Sequence, residues 1–135
     1  MSQENVEAFK RAVEANNRND YDALLEEIDP DVEWYGVMGV MFGGDATVFR
    51  GHAGLLEYLR DIDEGFTVRD IQWSEFRDLG ERIVVLGHVR GKGRESGIEL
   101  DSQYGAVAEF RQGKIARYRD YFDHSGALEA AGLSE

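Results

Sequence analysis

The second half of the chain constrains the fold most, because it contains four strand-type stretches separated only by short turns. Apolar and polar residues partly alternate along these stretches, and glycine occurs in each connection between them. The predicted strands span residues 66–76, 82–90, 98–110 and 114–122. Strands joined by such short connections pair with their neighbours in opposite directions, so this half predicts an antiparallel sheet.

The first thirty residues are typical of two helices. Val6, Phe9 and Val13 recur at helical spacing and form one apolar face. Asp20 is a candidate N-cap for a second, short helix, and Pro30 prevents that helix from continuing. The chain therefore begins with two helices before any strand.

The complete order of elements predicts an α+β fold. A short strand over residues 32–35 and a third helix over residues 53–62 connect the two halves, so the order is α-α-β-α-β-β-β-β. A long antiparallel sheet curls as its twist accumulates, and helices across its concave side would enclose a cone. We predict a single domain over residues 1–135, with a cone-shaped curved antiparallel sheet covered by N-terminal helices and a pocket for a small apolar ligand.

The composition excludes several classes of function. The formal net charge of −12 disfavours binding to nucleic acid or to anionic membranes. The absence of cysteine excludes disulfides and thiolate chemistry, and the three histidines lack paired metal-ligand spacing, so we predict neither metal nor cofactor. There is no apolar stretch of about 18 residues and no signal-peptide pattern at the N-terminus, which predicts a cytoplasmic protein.

The segment between the first strand and the third helix combines many glycines with large apolar residues. Met38 and Phe42 lie within this segment, which spans residues 36–54. One interpretation is a flap that covers an apolar ligand, with both side chains as walls of the pocket. The other interpretation is a loop that packs against the core.

Asp120 is the main candidate for a catalytic residue. Strand alternation places Tyr118, Asp120 and Phe122 on one face of the last strand. Because this face is otherwise apolar, desolvation is expected to raise the pKa of the Asp120 carboxyl, which would suit a general acid or base. The alternative is a structural role, in which Asp120 accepts hydrogen bonds from a neighbouring side chain and orders the core.

His88 is the second candidate for acid–base work. It shares one face of its strand with Val84 and Leu86, whereas the opposite face carries only apolar residues and glycine. A pocket-facing His88 would pair with Asp120 or protonate a substrate oxygen. We favour the outer sheet face for His88, because the apolar face suits the core, and Tyr104 is then the alternative polar partner of Asp120.

Further candidate residues would form the walls of the pocket. Trp34, Tyr58 and Tyr104 each combine an apolar body with a polar tip, although such aromatics also serve as ordinary core residues. Asn16 stands where the apolar stripe of the first helix would continue. Either the Asn16 amide points into the cavity, or Asn16 simply marks the start of the last turn of the helix.

Several segments carry a family resemblance. They are MSQENVE at the start, NRNDYDALL at 17–25, DPDVEW at 29–34, FRGH at 49–52, VVLG at 84–87, and GKI at 113–115 with RDYFD at 119–123. Together they resemble a SnoaL-like domain of the nuclear transport factor 2-like superfamily. The resemblance spans nearly the whole chain and implies the same cone-shaped fold, usually as a homodimer through the sheet.

The resemblance implies several activities rather than one. The superfamily includes polyketide cyclases, ketosteroid isomerases, epoxide hydrolases, dehydratases and non-catalytic binding domains. Asp120 matches an aspartate of the catalytic Asp–Arg–Asp set of epoxide hydrolases, but the strand that should supply Arg-x-Asp reads HVRG at 88–91. Gly36 stands roughly where the isomerases carry their base. In SnoaL-type cyclases a buried aspartate and a histidine act as acid and base, and Asp120 and His88 are candidates for that pair.

Two function hypotheses result. The first is a cofactor-free enzyme of the cyclase, isomerase or hydratase/hydrolase type, which moves protons on an apolar, oxygen-bearing small molecule with Asp120 and His88 as catalytic residues. The second is a non-catalytic ligand-binding or dimerisation domain. The substrate-binding residues under the first hypothesis are Trp34, Met38, Phe42, Tyr58, Tyr104, Tyr118, Phe122 and Asn16.

Overall fold

Six strands form one curved sheet in the computed structural model, which describes residues 2–36 and 48–133. The strands are β1 (Ile28–Tyr35), β2 (Val48–Arg50), β3 (Phe66–Asp78), β4 (Arg82–Gly93), β5 (Glu99–Arg111) and β6 (Lys114–Tyr121). Their spatial order is β2-β1-β6-β5-β4-β3. The predicted antiparallel pairing of the second half is confirmed from β3 to β6, and β1 joins the sheet parallel to β6.

The three helices that the sequence predicts are present, and a fourth follows β6. They are α1 (Ser2–Asn17), α2 (Tyr21–Glu26), α3 (Gly51–Gly65) and α4 (His124–Ala130). The Asp20 side chain caps α2 by accepting a hydrogen bond of 3.2 Å from the Ala23 amide. No helix among the described residues is both long enough and apolar enough to cross a bilayer.

Two local predictions need correction. The second helix ends at Glu26, four residues before Pro30, because the chain has already entered β1 at Ile28. Pro30 is tolerated there because the pairing of β1 with β6 is irregular between Ile28 and Glu33. Residues 48–50, which the sequence places in a glycine-rich loop, form the short strand β2 against β1.

Each face of the sheet carries its own apolar cluster. On the inner face, Phe9 of α1 and Leu55 of α3 are buried in the larger core, together with alternate residues of β4 and β5. On the outer face, α4 covers a smaller cluster that includes Val84. Gly105 permits this contact, because an added Cβ would lie 2.8 Å from the Cβ of Ala127. The inner face is therefore the one on which an enclosed site can form.

Candidate functional site

Asp120 lies on the inner face of β6 and is almost completely buried. Its exposed fraction is 3%, and Tyr118 on the same face is similarly buried, whereas Arg117 and Arg119 point outward. This arrangement follows from strand alternation, as the sequence predicts. A carboxyl group is thus held among apolar and aromatic side chains, where its charged form needs hydrogen-bond donors to replace water.

One tyrosine hydroxyl contacts the Asp120 carboxyl group, and a second tyrosine hydroxyl lies beside the first. The Tyr104 hydroxyl on β5 donates a hydrogen bond to Oδ2 of Asp120 and lies 3.3 Å from the Tyr118 hydroxyl. Because Ala106 pairs with Asp120 in the β5–β6 ladder, Tyr104 reaches the carboxyl diagonally across the two strands. The three side chains form a hydrogen-bonded cluster, which we call the Tyr104–Tyr118–Asp120 cluster.

The tyrosines of this cluster keep their protons at neutral pH. Burial is the largest cause that raises the pKa of both the Tyr104 and the Tyr118 hydroxyl well above its ordinary value, and the charge of Asp120 adds to the effect. Both hydroxyls therefore act as neutral hydrogen-bond groups. Asp120 is left as the one member of the cluster that ordinarily ionises below neutral pH.

A small cavity adjoins the Tyr104–Tyr118–Asp120 cluster between the helices and the sheet. Its volume is about 30 Å³, which is room for one water-sized group, whereas ligand pockets usually measure about 300–1,000 Å³. The lining residues are Asn16, Trp34, Tyr58, Leu59, Ile62, Ile71, Val89, Tyr104, Tyr118 and Asp120. Four of these lining residues are aromatic, so within the described part of the chain the space is narrow.

Trp34 and Tyr58 form the aromatic wall of the cavity. The indole of Trp34 stacks on the Tyr118 ring, with ring centroids 3.9 Å apart and planes 14° from parallel. The Tyr58 ring lies against Gly36, where an added Cβ would be 2.6 Å from the Tyr58 hydroxyl. Gly36 thus makes room for the tyrosine of α3.

Two buried indole N–H groups lack a hydrogen-bond acceptor among the described residues. They are Nε1 of Trp34, whose residue is 8% exposed, and Nε1 of Trp73. Trp34 lines the cavity, whereas Trp73 is not among the residues that line it. An unmade hydrogen bond to a buried donor costs about 1–3 kcal/mol, so these two groups are unusual.

The structure brings together most, but not all, of the residues expected at the site. Asn16, Trp34, Tyr58, Tyr104 and Tyr118 line the cavity together with Asp120. Phe122 packs against the core with its ring centroid 6.1 Å from that of Tyr104, but it is not a lining residue. Met38 and Phe42 lie outside the described residues.

The apolar part of the lining was not predicted from the sequence. Leu59 and Ile62 come from the buried face of α3, and Ile71 and Val89 come from β3 and β4. Their apolar periodicity indicates burial but does not distinguish a cavity wall from a core contact.

His88 lies on the outer face of the sheet, away from the cavity. Alternation along β4 turns Val89 inward and His88 outward, where the His88 ring hydrogen-bonds to the exposed Asp101 carboxylate. This hydrogen bond is the main cause that lowers the pKa of Asp101. The structure therefore does not bring His88 and Asp120 together. No group of three potential metal ligands occurs within residues 2–36 and 48–133.

Three solved structures share this architecture over nearly the whole chain. A nuclear transport factor 2-like protein of unknown function from Burkholderia pseudomallei K96243 is 26% identical, with a TM-score of 0.81 over 93% of this chain and 95% of that chain. TerC, co-crystallised with polyporic acid, is 27% identical, with a TM-score of 0.80 over 93% and 96% of the two chains. A nuclear transport factor 2-like protein from Burkholderia xenovorans LB400 is 28% identical, with a TM-score of 0.74 over 97% of each chain.

The helix-covered, curved sheet and these matches define a nuclear transport factor 2-like fold. The family model of the SnoaL-like domain matches residues 9–118, and the chain belongs to this family. The predicted fold and family are thus confirmed. No curated protein sequence matches the chain significantly.

Proposed function

We propose that this protein is a cofactor-free acid–base enzyme of the cyclase, isomerase or hydratase/hydrolase type, acting on an apolar, oxygen-bearing small molecule. The observation that carries this proposal is the buried Asp120 carboxyl, which accepts a hydrogen bond from Tyr104 at the wall of a cavity. Asp120 would take a proton from the substrate or return one to it. Tyr104 and Tyr118 would hold the carboxyl in position.

The chemistry of the lining supports this role for Asp120. Among the described residues that line the cavity, Asp120 is the only one that ordinarily ionises below neutral pH, and the others are apolar, aromatic or amide side chains. A carboxylate in such surroundings is separated from bulk water, so its interaction with a reacting proton is not screened. His88 has no part in this proposal, because it lies on the opposite sheet face.

The small volume of the cavity limits how the substrate would bind. About 30 Å³ admits only one oxygen-bearing end of a molecule, so the rest of the substrate would have to displace wall side chains or remain outside. The co-crystallisation of TerC with polyporic acid supports an aromatic, oxygen-bearing compound as the class of ligand.

The first test measures the pKa of the Asp120 carboxyl by carbon-detected NMR, with the resonance assigned from the spectrum of Asp120→Asn. We expect a value above the ordinary 3.9 or so of an aspartate, because burial penalises the charged form. A pKa of about 3.9 or lower for Asp120 would contradict the proposed acid–base role.

A non-catalytic ligand-binding or dimerisation domain is the second candidate function. The observation that favours it is the cavity volume, because about 30 Å³ is far below that of most enzyme pockets. In that case the Tyr104–Tyr118–Asp120 cluster would only order the core. The homodimer implied by the family resemblance stays a prediction, and light scattering that reports the monomer mass of 15.2 kDa would contradict it.

A further inference from the structure

We infer that Trp73 is a positioning residue for the proposed proton transfer, because its indole holds the Tyr104 ring in the orientation that keeps the Tyr104 hydroxyl on the Asp120 carboxyl. This inference rests on the proposed function, since it assigns a residue that acts on the same carboxyl from outside the cavity. Trp73 is not among the residues that line the cavity, so it would act on Asp120 only through Tyr104.

The first argument is a row of residues that the strand register places across the sheet. Trp73 on β3 pairs with Gly87 on β4, and Gly87 pairs in turn with Tyr104 on β5. Phe122 follows the end of β6 and continues the row on the far side of Tyr104. The Tyr104 ring therefore has one aromatic neighbour on each side along this row.

The second argument is the space over Gly87. An added Cβ at Gly87 would lie 2.9 Å from Cε3 of Trp73, so the absence of a side chain there makes room for the indole. The Trp73 and Tyr104 ring centroids are 5.5 Å apart, with the ring planes 41° from parallel. Because β4 separates the strands of these two residues, the indole reaches across a whole strand to make this contact.

The third argument is that the contacts of the Tyr104 ring leave it little freedom. On the side of β6 the ring centroid of Phe122 lies 6.1 Å from that of Tyr104, and Tyr104 is only 3% exposed. At the tip of the ring the hydroxyl donates to Asp120. Without the indole, the space over Gly87 would be open, and the ring would be free to turn towards β3 and away from the carboxyl on β6.

The fourth argument is the cost of a tryptophan at this place. Nε1 of Trp73 is buried and has no acceptor among the described residues, and an unmade hydrogen bond of this kind destabilises the folded state. A phenylalanine would fill part of the same space without a buried N–H group. The reach of the indole to Tyr104 therefore explains a tryptophan here better than its contribution to stability does.

The test measures the pKa of the Asp120 carboxyl in Trp73→Leu by carbon-detected NMR. The hydrogen bond from Tyr104 favours the charged carboxylate, so its loss should raise the pKa of Asp120 by about one pH unit. Tyr104→Phe removes the donor itself and should raise this pKa at least as much. The other titratable groups among the described lining residues are the hydroxyls of Tyr58 and Tyr118, which both variants retain.

Phe76→Leu is the matched control, because Phe76 lies on the same strand as Trp73 and packs against the same core. Its ring centroid is 6.1 Å from that of Phe9, and the corresponding distance for Trp73 is 5.4 Å. Within the described part of the chain, Phe76 has no ring contact with Tyr104. Phe76→Leu thus removes an aromatic ring from the core without releasing Tyr104, and we expect it to leave the pKa of Asp120 at the wild-type value.

A double variant separates positioning from a general change in the core. Tyr104→Phe leaves no hydroxyl to position, so adding Trp73→Leu to it should not raise the pKa of Asp120 further. The inference is overturned if Trp73→Leu leaves this pKa unchanged, if Phe76→Leu raises it as much, or if the effect of Trp73→Leu persists in full beside Tyr104→Phe. If Trp73→Leu does not fold, Trp73→Phe, which should cause a smaller rise, is measured by the same criteria.

These outcomes are separate from those that decide the proposed function. The pKa of Asp120 in wild-type protein decides the acid–base role, whereas this inference depends on the differences between variants. A wild-type value of about 3.9 or lower would remove the acid–base role, and a rise in Trp73→Leu would still show that the indole holds Tyr104 on the carboxyl. None of these measurements requires turnover or a known substrate.

Discussion

Asp120→Asn is expected to lower the turnover of the substrate by about 10²- to 10⁴-fold, which is the usual contribution of a positioned acid or base. The substitution removes the titratable group but keeps nearly the same shape. The amide oxygen of asparagine can still accept the hydrogen bond that the Tyr104 hydroxyl donates to Asp120. The fold should therefore persist, and the loss should appear in kcat rather than in protein stability.

The measurement compares wild-type protein and Asp120→Asn on a panel of epoxides, enolisable ketones and β-hydroxy ketones. Asp101→Asn is the matched control, because it makes the same chemical change on the outer face, where Asp101 pairs with His88. We expect this control to retain wild-type turnover. Equal turnover by wild type and Asp120→Asn would refute the acid–base role, and a loss in Asp101→Asn would instead implicate the His88 pair. Absence of turnover by wild-type protein would favour the ligand-binding alternative.

The second large effect is a loss of stability in alkaline solution. The pKa values of Tyr104 and Tyr118 are raised in the folded protein, mainly by burial, whereas an unfolded tyrosine titrates near pH 10. Below pH 10 both states keep these protons, and their stabilising effect is fully present. As the pH rises from 10 towards the folded pKa values, only the unfolded state loses the protons, so the free energy of unfolding falls.

The expected size of this effect is large compared with ordinary domain stability. Each tyrosine contributes a slope of about 1.4 kcal/mol per pH unit, so the pair contributes about 2.7 kcal/mol per unit above pH 10. A typical domain has only about 5–15 kcal/mol in total. The two tyrosines alone would therefore cancel a stability at the low end of this range about two pH units above pH 10.

Chemical denaturation between about pH 9 and pH 11.5 would measure this slope. Tyr104→Phe and Tyr118→Phe should each flatten it by about one proton, because each removes one group that titrates differently in the two states. Lysines and exposed tyrosines titrate equally in wild type and variants, so the comparison isolates the two buried hydroxyls. The prediction is wrong if all three proteins show the same pH dependence.

Local patterns in the sequence predict most of the fold. The Asp20 cap, the apolar stripe of α1 and the four strand-type stretches after residue 65 depend on neighbouring residues, and the structure contains each of them. The structure ends α2 before Pro30 and places Pro30 inside β1, where a proline is tolerated because the pairing with β6 is irregular. That pairing joins segments far apart in the chain, so a local sequence pattern cannot predict it.

The candidate site is only partly predictable for the same reason. Alternation alone places Tyr118 and Asp120 on one strand face, but it does not predict which residue of β5 pairs with Asp120. The register that pairs Ala106 with Asp120 brings the Tyr104 hydroxyl to the carboxyl. The cavity between the helices and the sheet likewise measures about 30 Å³. This volume depends on the sizes of side chains from several helices and strands, so one segment alone does not predict it.

The amino-acid sequence by itself determined the order of elements, the family and the position of Asp120 on an apolar strand face, because these follow from spacing along one segment at a time. Only the tertiary structure decided that Tyr104 contacts Asp120, that His88 pairs with Asp101 on the outer face, and that Trp34 stacks on Tyr118 at the wall of the cavity. Those three facts depend on strand register and on which sheet face the helices cover. Both are set by contacts between residues distant in sequence.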